Sequence, residues 1–299
     1  MSRIAILGNL GVDILYRVAR LPRQHEKVQT PEMTIAGGGA PANVAHWLAR
    51  LGHDVSFHAV TGTDPLSRMA TGFLSDAGVN VTGIAHLPDV GPSVASIFTG
   101  GTRKAMVCGG PRGVDAHWRA LAAGISFSGV DHVHFAPSLH ALLFEGGRRA
   151  DLAQASISTD LNGSVSLELL RDPDIAFTNG DELDAALKTT GAADLAALLA
   201  EAHAGGTRRL IVTEGDKGVA CHRGGETITA RPDPVTPVDR TGGGDAFAAG
   251  YLHAMLGGCG EAAALRAGLR LARAALSGIG SRPQTDDVAS ALTELAGPA

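Results

Sequence analysis

The stretch VDRTGGGDAFAAG, residues 238–250, places three glycines and an aspartate directly before an apolar run that is typical of a helix. Glycines allow backbone N–H groups to approach a ligand closely, and the N-terminus of a helix attracts anions. A carboxylate at Asp245 would repel an anion unless it has a chemical task, such as accepting the proton of an attacking hydroxyl. Two interpretations are therefore open: a turn in which Asp245 caps a helix, or an anion cradle with a base beside it.

The composition is that of a globular protein. Hydrophobic residues make up 44% of the 299 residues and charged residues 18%, which provides a sizeable core and argues against disorder. The net charge is -5 and no basic run occurs, so we do not expect a nucleic-acid partner. The three cysteines lie far apart, which indicates neither a disulfide framework nor a metal site. The N-terminal apolar run is too short for a signal peptide or a membrane span, and we expect a cytoplasmic protein without a membrane partner.

Short apolar runs alternate with Ala- and Leu-rich stretches along most of the chain. The runs predicted to be strands are residues 3–8, 54–62, 132–137, 156–162, 174–179 and 209–215, and the predicted helices include 41–52 and 64–78. Strands that are continuously apolar are buried on both faces. The alternation therefore predicts an α/β fold in three layers, with a mostly parallel central sheet and helices on both faces. In such folds ligands bind outside the carboxyl ends of the strands.

Two segments depart from this alternation, at about residues 14–36 and 90–110. Both have the alternating pattern of half-exposed strands, and TGGT at 99–102 is a suitable hairpin turn. Two-stranded pieces inserted in an α/β core often cover a site, although an ordinary surface hairpin has the same pattern. We predict that the two segments form a small β-strand lid.

Two other phosphate-binding motifs are absent from the sequence. No G-x-x-x-x-G-K-[ST] occurs, which argues against a P-loop enzyme. GNLGVD (8–13), after the first predicted strand, lacks the G-x-G-x-x-G spacing of dinucleotide-binding proteins, and so does AGGGAPANVA (36–45). A nicotinamide-dependent enzyme is therefore disfavoured.

Five motifs, in matching order and spacing, resemble those of the ribokinase-like (PfkB) sugar kinase family. Its two signatures are matched by AGGGAPANVAHWLARLG (36–52) and DRTGGGDAFAAGY (239–251). The others are the Gly-rich strand end GNLGVD (8–13), the N-x-x-E motif NGDE (179–182) and the T-x-G-x-x-G segment TEGDKG (213–218). The resemblance spans about residues 3–290. It implies a single ribokinase-like α/β domain over residues 1–299 with a β lid, and ATP-dependent transfer of a phosphoryl group to a hydroxymethyl oxygen of a small carbohydrate.

The resemblance implies a role for each matched position. Asp245 corresponds to the general base of the transfer. The positions of the anion hole are Gly242, Gly243 and Gly244, although many relatives have Ala in place of Gly243. The positions that correspond to sugar-hydroxyl contacts are Asp13, Gly39 and Asn43. By residue type alone, Asn43 equally suits the start of a helix and Asp13 a turn at a strand end.

A second group of positions corresponds to the nucleotide and metal end of the family's site. The ATP contacts are Asn179, Thr213, Gly215 and Gly218. Glu182 corresponds to a Mg2+ ligand that acts through water. The residues alone also allow a solvated first-turn carboxylate at Glu182 and an ordinary glycine turn after the strand. Many relatives also bind a monovalent cation such as K+, and the matching positions are Asp239, Thr241 and Gly280.

The motifs leave the identity of the acceptor open. Basic residues in or beside the lid, namely Arg103, Lys104 and Arg112, suit a phosphate or carboxylate on the substrate, or are simply exposed charges. Trp47 and Trp118 suit core packing, the simpler interpretation, or stacking on a base. A nucleoside kinase of the same fold is therefore an alternative, as is a catalytically silent sugar or nucleotide sensor. In many relatives the lid pairs with that of a second subunit, which leaves a homodimer open.

Overall fold

The structure is a computed structural model that describes residues 1–100, 103–110, 114–144, 151–163, 166, 168–190, 192 and 195–297, except for the side chains of residues 100, 103, 104, 115, 116 and 205. Of the basic residues considered above, Arg112 lies outside the described residues, as do the side chains of Arg103 and Lys104. Strands and helices are numbered below in chain order.

A nine-stranded sheet forms the centre of the described structure. Its strands are β1 (Arg3–Leu7), β4 (Asp54–Gly62), β5 (Asn80–Leu87), β8 (His132–Phe135), β9 (Ser156–Asp160), β10 (Ile175–Asn179), β11 (Arg209–Thr213), β12 (Val219–Arg223) and β13 (Glu226–Ala230). In space they follow the order β13-β12-β11-β10-β9-β8-β1-β4-β5. Neighbours run parallel from β11 to β5, whereas the β11–β12 and β12–β13 pairs are antiparallel. The predicted mostly parallel sheet is confirmed.

Each of the six strands predicted from the sequence lies in this sheet. The sequence does not predict β5, β12 and β13, which lie at or next to the two edges. Along β5 and β13 exposed positions interrupt the buried and half-buried ones. A strand that is covered on one face only needs no continuous apolar run, so the pattern used for the prediction does not find it.

Helices flank the central sheet. They are α1 (Ala40–Arg50), α2 (Pro65–Ser75), α3 (Val114–Gly124), α4 (His140–Phe144), α5 (Gly180–Thr190), α6 (Leu195–Gly205), α7 (Gly243–Leu256), α8 (Glu261–Ala275) and α9 (Asp286–Ala296). α2 begins after Asp64, whose carboxylate accepts hydrogen bonds from the N–H groups of Leu66 and Ser67. No helix in the described part of the chain is both long and apolar enough to cross a membrane.

The hydrophobic core lies between the sheet and these helices. α1 packs against α7, and α7 against α8. Trp47 of α1 is completely buried, as are Ile6 of β1 and Phe57 of β4, and all three belong to one core cluster. The interpretation of Trp47 as a core residue is therefore confirmed.

A second sheet contains four strands in the order β3-β2-β6-β7. They are β2 (Gly11–Arg17), β3 (Glu32–Gly38), β6 (Val94–Gly100) and β7 (Arg103–Gly109). β2 pairs antiparallel with β3 and parallel with β6, so the two predicted segments join in one sheet. The first segment differs from the prediction, because its strands begin at Gly11 and extend to Gly38 while residues 18–31 form no strand. Residues 101–102 of the predicted hairpin turn lie outside the described residues.

Candidate active site

Gly242, and not Asp245, is the N-cap residue of α7. Its φ of 76° lies in the left-handed region, and a Cβ at this position would collide with Ser281, so both the backbone and the available space require glycine. Asp245 lies in the first turn of the helix. The interpretation of Asp245 as a helix cap is therefore wrong.

The first turn of α7 is open on one side. A Cβ added to Gly244 would meet no atom within 4 Å, whereas one added to Gly243 would lie 3.1 Å from Leu276. The first N–H groups of a helix have no acceptor within the helix, and they carry partial positive charge. α7 therefore presents backbone donors to an open space next to Asp245, which suits an anion.

Asp245 is a half-buried carboxylate held by Asn43 of α1. Nδ2 of Asn43 donates a hydrogen bond to Oδ2 of Asp245 at 2.6 Å. Burial raises the pKa of Asp245 to about 7, and the negative charge of Asp13 adds to the rise. The hydrogen bond from Asn43 and the charge of Arg282 act in the opposite direction. A carboxylate whose pKa lies near neutrality is suited to take a proton at physiological pH.

Asn43 connects three parts of the chain. Its Oδ1 accepts hydrogen bonds from Nε of Arg282 at 2.8 Å and from Oγ of Ser281 at 3.0 Å. Arg282 also donates through Nη2 to the carbonyl oxygen of Gly38 at 3.3 Å. Burial lowers the pKa of Arg282 to about 10, against the effect of nearby carboxylates, and the guanidinium stays charged at neutral pH. Ser281 and Arg282 directly follow Gly280 in the chain, and none of the five motifs contains them.

The predicted sugar contacts Asp13, Gly39 and Asn43 lie where β2, β3 and α1 come together. Asp13 is 8% exposed and lies within β2, opposite Ala36 of β3. A Cβ on Gly38 would collide with the Asp13 carboxylate, so this glycine permits the close approach of the strands. Gly39 is the N-cap residue of α1, and Asn43 lies inside that helix. The turn interpretation of Asp13 and the cap interpretation of Asn43 are therefore wrong.

Asp160, the last residue of β9, is a further candidate, and none of the five motifs contains it. Burial raises its pKa to about 7, and the charges of Asp245 and Glu182 add to the rise. The backbone N–H of Asn162 donates to its Oδ1 at 3.0 Å. Perturbed carboxylates are frequent at functional sites. The signal in the sequence is a carboxylate at the carboxyl end of a predicted parallel strand, where ligands bind.

Asn179 and Glu182 form a reciprocal cap at the start of α5. The N–H of Glu182 donates to Oδ1 of Asn179 at 3.0 Å. Oε2 of Glu182 accepts from the hydroxyl of Thr178 at 3.0 Å and from the N–H of Asn179 at 3.4 Å. This arrangement is a capping box, which by itself accounts for the N-x-x-E spacing. Glu182 is half-buried and hydrogen-bonded, so the interpretation as a solvated carboxylate is wrong.

The predicted nucleotide contacts lie side by side at the carboxyl edge of the sheet. Thr213 ends β11 and stands opposite Asn179 at the end of β10. Gly215 and Gly218 bound a tight turn, which is closed by a hydrogen bond of 2.8 Å from the N–H of Glu214 to the carbonyl oxygen of Gly218. Residues from two neighbouring strands and the turn that follows are thus brought to one edge.

Asp239, Thr241 and Gly280 also meet. Oδ1 of Asp239 accepts hydrogen bonds from the N–H of Thr241 at 3.0 Å and from its hydroxyl at 2.8 Å. Oδ2 accepts from the N–H of Gly280 at 3.0 Å. Asp239 is 8% exposed, and it takes part in none of the ion pairs among the described residues. A buried carboxylate with neutral donors only is an environment that favours a cation.

An open cavity of about 890 Å³ lies at the carboxyl ends of β1, β4 and β8. Its walls include Asn9, Val60, Trp118, Arg119 and Ser138. A Cβ on Gly39 would lie 2.6 Å from the carbonyl oxygen of Asn9, so the cavity borders the predicted sugar contacts. Trp118 is buried in the core cluster and also forms part of this wall.

Comparison with known proteins identifies the family. A family model described as pfkB family carbohydrate kinase matches residues 1–287. The chain belongs to the pfkB carbohydrate kinase family. The resemblance predicted from the five motifs is confirmed, and the protein is a carbohydrate kinase, a phosphotransferase with an alcohol group as acceptor.

Relatives of this pfkB family kinase cover nearly its whole length. ATP-dependent ribose-1-phosphate kinase from Halopiger xanaduensis is 28% identical over 324 aligned residues, which cover 98% of this chain and 99% of that protein. The structure of fructokinase with bound ATP from Xylella fastidiosa is 25% identical, with a TM-score of 0.80 and 99% of each chain covered. Ribokinase from Thermotoga maritima shares the fold, with 20% identity, a TM-score of 0.80 and coverage of 98% of this chain and 100% of that chain.

Proposed function

We propose that this kinase transfers the γ-phosphoryl group of ATP to a hydroxymethyl oxygen of a small carbohydrate, with Asp245 as the general base. The observation that carries the proposal is the setting of Asp245, a half-buried carboxylate with a pKa of about 7 beside the open first turn of α7. Near neutral pH such a carboxylate is ionised in a large fraction of molecules and is still basic enough to take a proton during the attack.

In the transfer, the acceptor oxygen forms a bond to the γ-phosphorus while the bond from this phosphorus to the bridging oxygen of ADP breaks. The hydroxyl proton passes to Asp245. The N–H groups that stabilise the transferring phosphoryl group are those of Gly242, Gly243 and Gly244. Asn43 holds the base in place, and the buried carboxylate of Asp13 accepts hydrogen bonds from sugar hydroxyls.

ATP is proposed to lie at the carboxyl edge of β10 and β11. The residues there are Asn179, Thr213, Gly215 and Gly218, and a Cβ on Gly215 would meet nothing within 4 Å, so the backbone is accessible. Mg2+ neutralises phosphate charge when it accompanies ATP. Glu182 already uses Oε2 in the cap of α5, and no group of three or more His, Cys, Asp or Glu among the described residues is arranged to hold a metal. The engagement of Oε2 in the cap supports contact of Glu182 with Mg2+ through water.

The proposed binding site of a monovalent cation such as K+ is the cluster of Asp239, Thr241 and Gly280. Its support is the buried carboxylate of Asp239, which has neutral donors but no counter-charge among the described residues. Thr241 directly precedes the N-cap glycine of α7. A cation bound there would therefore order the backbone donors of the first turn.

The four-stranded sheet is proposed to act as a lid, within one domain of residues 1–299 into which segments of about 14–36 and 90–110 are inserted. β2 of this sheet carries Asp13, so movement of the sheet reaches the sugar contacts directly. Its exposed apolar side chains support pairing with the lid of a second copy, and these are Met33, Ile35, Met106 and Val107. Sedimentation velocity tests the homodimer, and a monomer at all concentrations would contradict it.

The direct test is ADP release from MgATP in the presence of K+, across pentoses, hexoses, sugar acids, sugar phosphates and nucleosides. We expect a response to one class of carbohydrate, which Asp245→Asn abolishes while ATP still binds. Asp233→Asn serves as the matched control, because the Asp233 side chain is 84% exposed. A response to nucleosides alone would replace the proposed acceptor class. Silence with every acceptor, with ATP bound, would contradict the proposed transfer and favour a sensor.

A further inference from the structure

Arg282 lies in the segment between α8 and α9, and its guanidinium contacts both Asn43 and the end of β3. Nε donates to Oδ1 of Asn43 at 2.8 Å, and Nη2 donates to the carbonyl oxygen of Gly38 at 3.3 Å. Nη1 is buried and has no hydrogen-bond partner among the described residues. A buried N–H without an acceptor costs free energy, so the contribution of Arg282 must come from its other nitrogens.

The contact with Arg282 determines which way the Asn43 amide faces. A guanidinium nitrogen can only donate, so the Asn43 atom next to Nε must be the oxygen Oδ1. Nδ2 is then directed to Asp245, where it donates to the carboxylate at 2.6 Å. A flipped amide would place an oxygen against the carboxylate oxygen and lose both hydrogen bonds. Ser281 reinforces the same orientation through its contact of 3.0 Å with Oδ1.

The positive charge of Arg282 is close to the proposed base but does not form an ion pair with it. Among the described residues no ion pair of 4.0 Å or less joins the two side chains, and the neutral amide of Asn43 contacts both of them. A direct pair with arginine would depress the pKa of a carboxylate and weaken it as a base. The other charged group that acts on Asp245 is the carboxylate of Asp13 on β2. Asp245 acts in turn on Asp160 of β9, as does Glu182 of α5, and all of these groups are acidic.

We propose that Arg282 is a positioning residue. It orients the Asp245 carboxylate through Asn43, and it supplies a positive charge that the Asn43 amide separates from this carboxylate. The inference rests on the proposed role of Asp245 as the base. It adds a requirement that no motif contains, since the arginine and the base come from different segments of the chain.

Three variants test the proposal through ADP release as a function of pH. Arg282→Met is expected to lower kcat at least about tenfold, because a small misplacement of a catalytic group is costly, and to leave KM for ATP unchanged. The acidic limb of its profile of kcat against pH should move to higher pH, because the loss of a positive charge near Asp245 raises the pKa of this carboxylate. Arg282→Lys keeps the charge without the Nε donor. Its acidic limb should therefore lie at the same pH as in wild type, while its kcat stays low. Arg273→Met, exposed on α8, is the matched control and should behave as wild type.

A combination with Asn43→Ala separates positioning from a merely structural role. If Arg282 orients the base through Asn43, the double variant Asn43→Ala/Arg282→Met should be no slower than Asn43→Ala alone at a pH above the acidic limb, where the charge of Arg282 no longer affects the ionisation of Asp245. Losses that multiply would overturn the proposal, as would an unchanged pH profile in Arg282→Met. Should Arg282→Met fail to fold, the comparison of wild type with Arg282→Lys still decides whether the donor is needed, and a wild-type rate in the lysine variant would count against it.

A titration without substrates distinguishes failure of this inference from failure of the proposed function. The carboxyl carbon of Asp245 is followed by 13C NMR, with Asp245→Asn for assignment, in wild type and in Arg282→Met. An upward shift of its pKa in the variant supports the inference even if no acceptor is found. An unchanged pKa overturns it even if the wild-type protein is an active kinase.

Discussion

Replacing Asp245 with Asn should make the protein more stable at pH 8 while it removes most of the activity. Burial raises the pKa of Asp245 from its ordinary 3.8 to about 7. The native state thus holds this proton more tightly than the unfolded chain does. The resulting stability is fully present below the unfolded pKa of 3.8 and is lost as the pH rises through about 7. Above that pH the folded wild type carries a buried ionised carboxylate, and the asparagine variant does not.

The pKa shift sets the size of the effect. About three pKa units at about 1.4 kcal/mol each give an upper bound of about 4 kcal/mol. Asp245 is only half-buried, and solvent screening reduces the expected cost to about 2 kcal/mol. With an entropy of unfolding of about 2.1 cal/mol/K per residue, a chain of 299 residues changes its Tm by roughly 3 °C for this free energy.

Thermal unfolding of wild type and Asp245→Asn between pH 5 and pH 8, without ligands, measures the difference. We expect the variant to have the higher Tm at pH 8 and the gap to narrow toward pH 5. ADP release should fall by about 10²–10⁴-fold, the usual contribution of a general base. The exposed control Asp233→Asn should show neither effect. A gap of constant size across the pH range, or a less stable variant at pH 8, would refute the assigned cost of the buried charge.

Other expected outcomes concern the anion hole, the cation cluster and the cap of α5. Gly244→Ala should fold with a Tm at least as high as that of wild type, because its Cβ meets no atom within 4 Å, but lose kcat because the methyl group enters the anion space. Gly72→Ala on α2, whose Cβ also meets no atom within 4 Å, is the matched control and should stay active. Asp239→Asn should abolish the dependence of ADP release on K+, which is measured by comparing KCl with N-methylglucamine chloride. Unchanged activation by K+ in this variant would count against the cation site. Glu182→Gln should keep the cap and the Tm yet raise the Mg2+ concentration needed for half-maximal rate, whereas Glu182→Ala should also lose about 1 kcal/mol of stability in denaturant titrations.

Local sequence patterns determined the central strands and the start of the helix that carries Asp245. The continuous apolar runs at residues 3–8 and 209–215 predicted two strands, because a strand that is buried on both faces carries apolar side chains throughout. The glycines before Asp245 predicted a helix start open to an anion, since the conformational freedom of glycine is a local property. The edge strand β5 and the β12–β13 hairpin, by contrast, are only partly buried and were not predicted.

Only the tertiary structure decided the surroundings of the base. Asn43 stands 202 residues from Asp245 and 239 residues from Arg282 in the chain, yet its amide contacts both side chains. Likewise, the pKa of about 7 at Asp245 and at Asp160 follows from burial and from charges on distant segments, and not from residue type. The motifs therefore identified the carboxylate, while its proton affinity and its orientation depend on neighbours that only folding brings together.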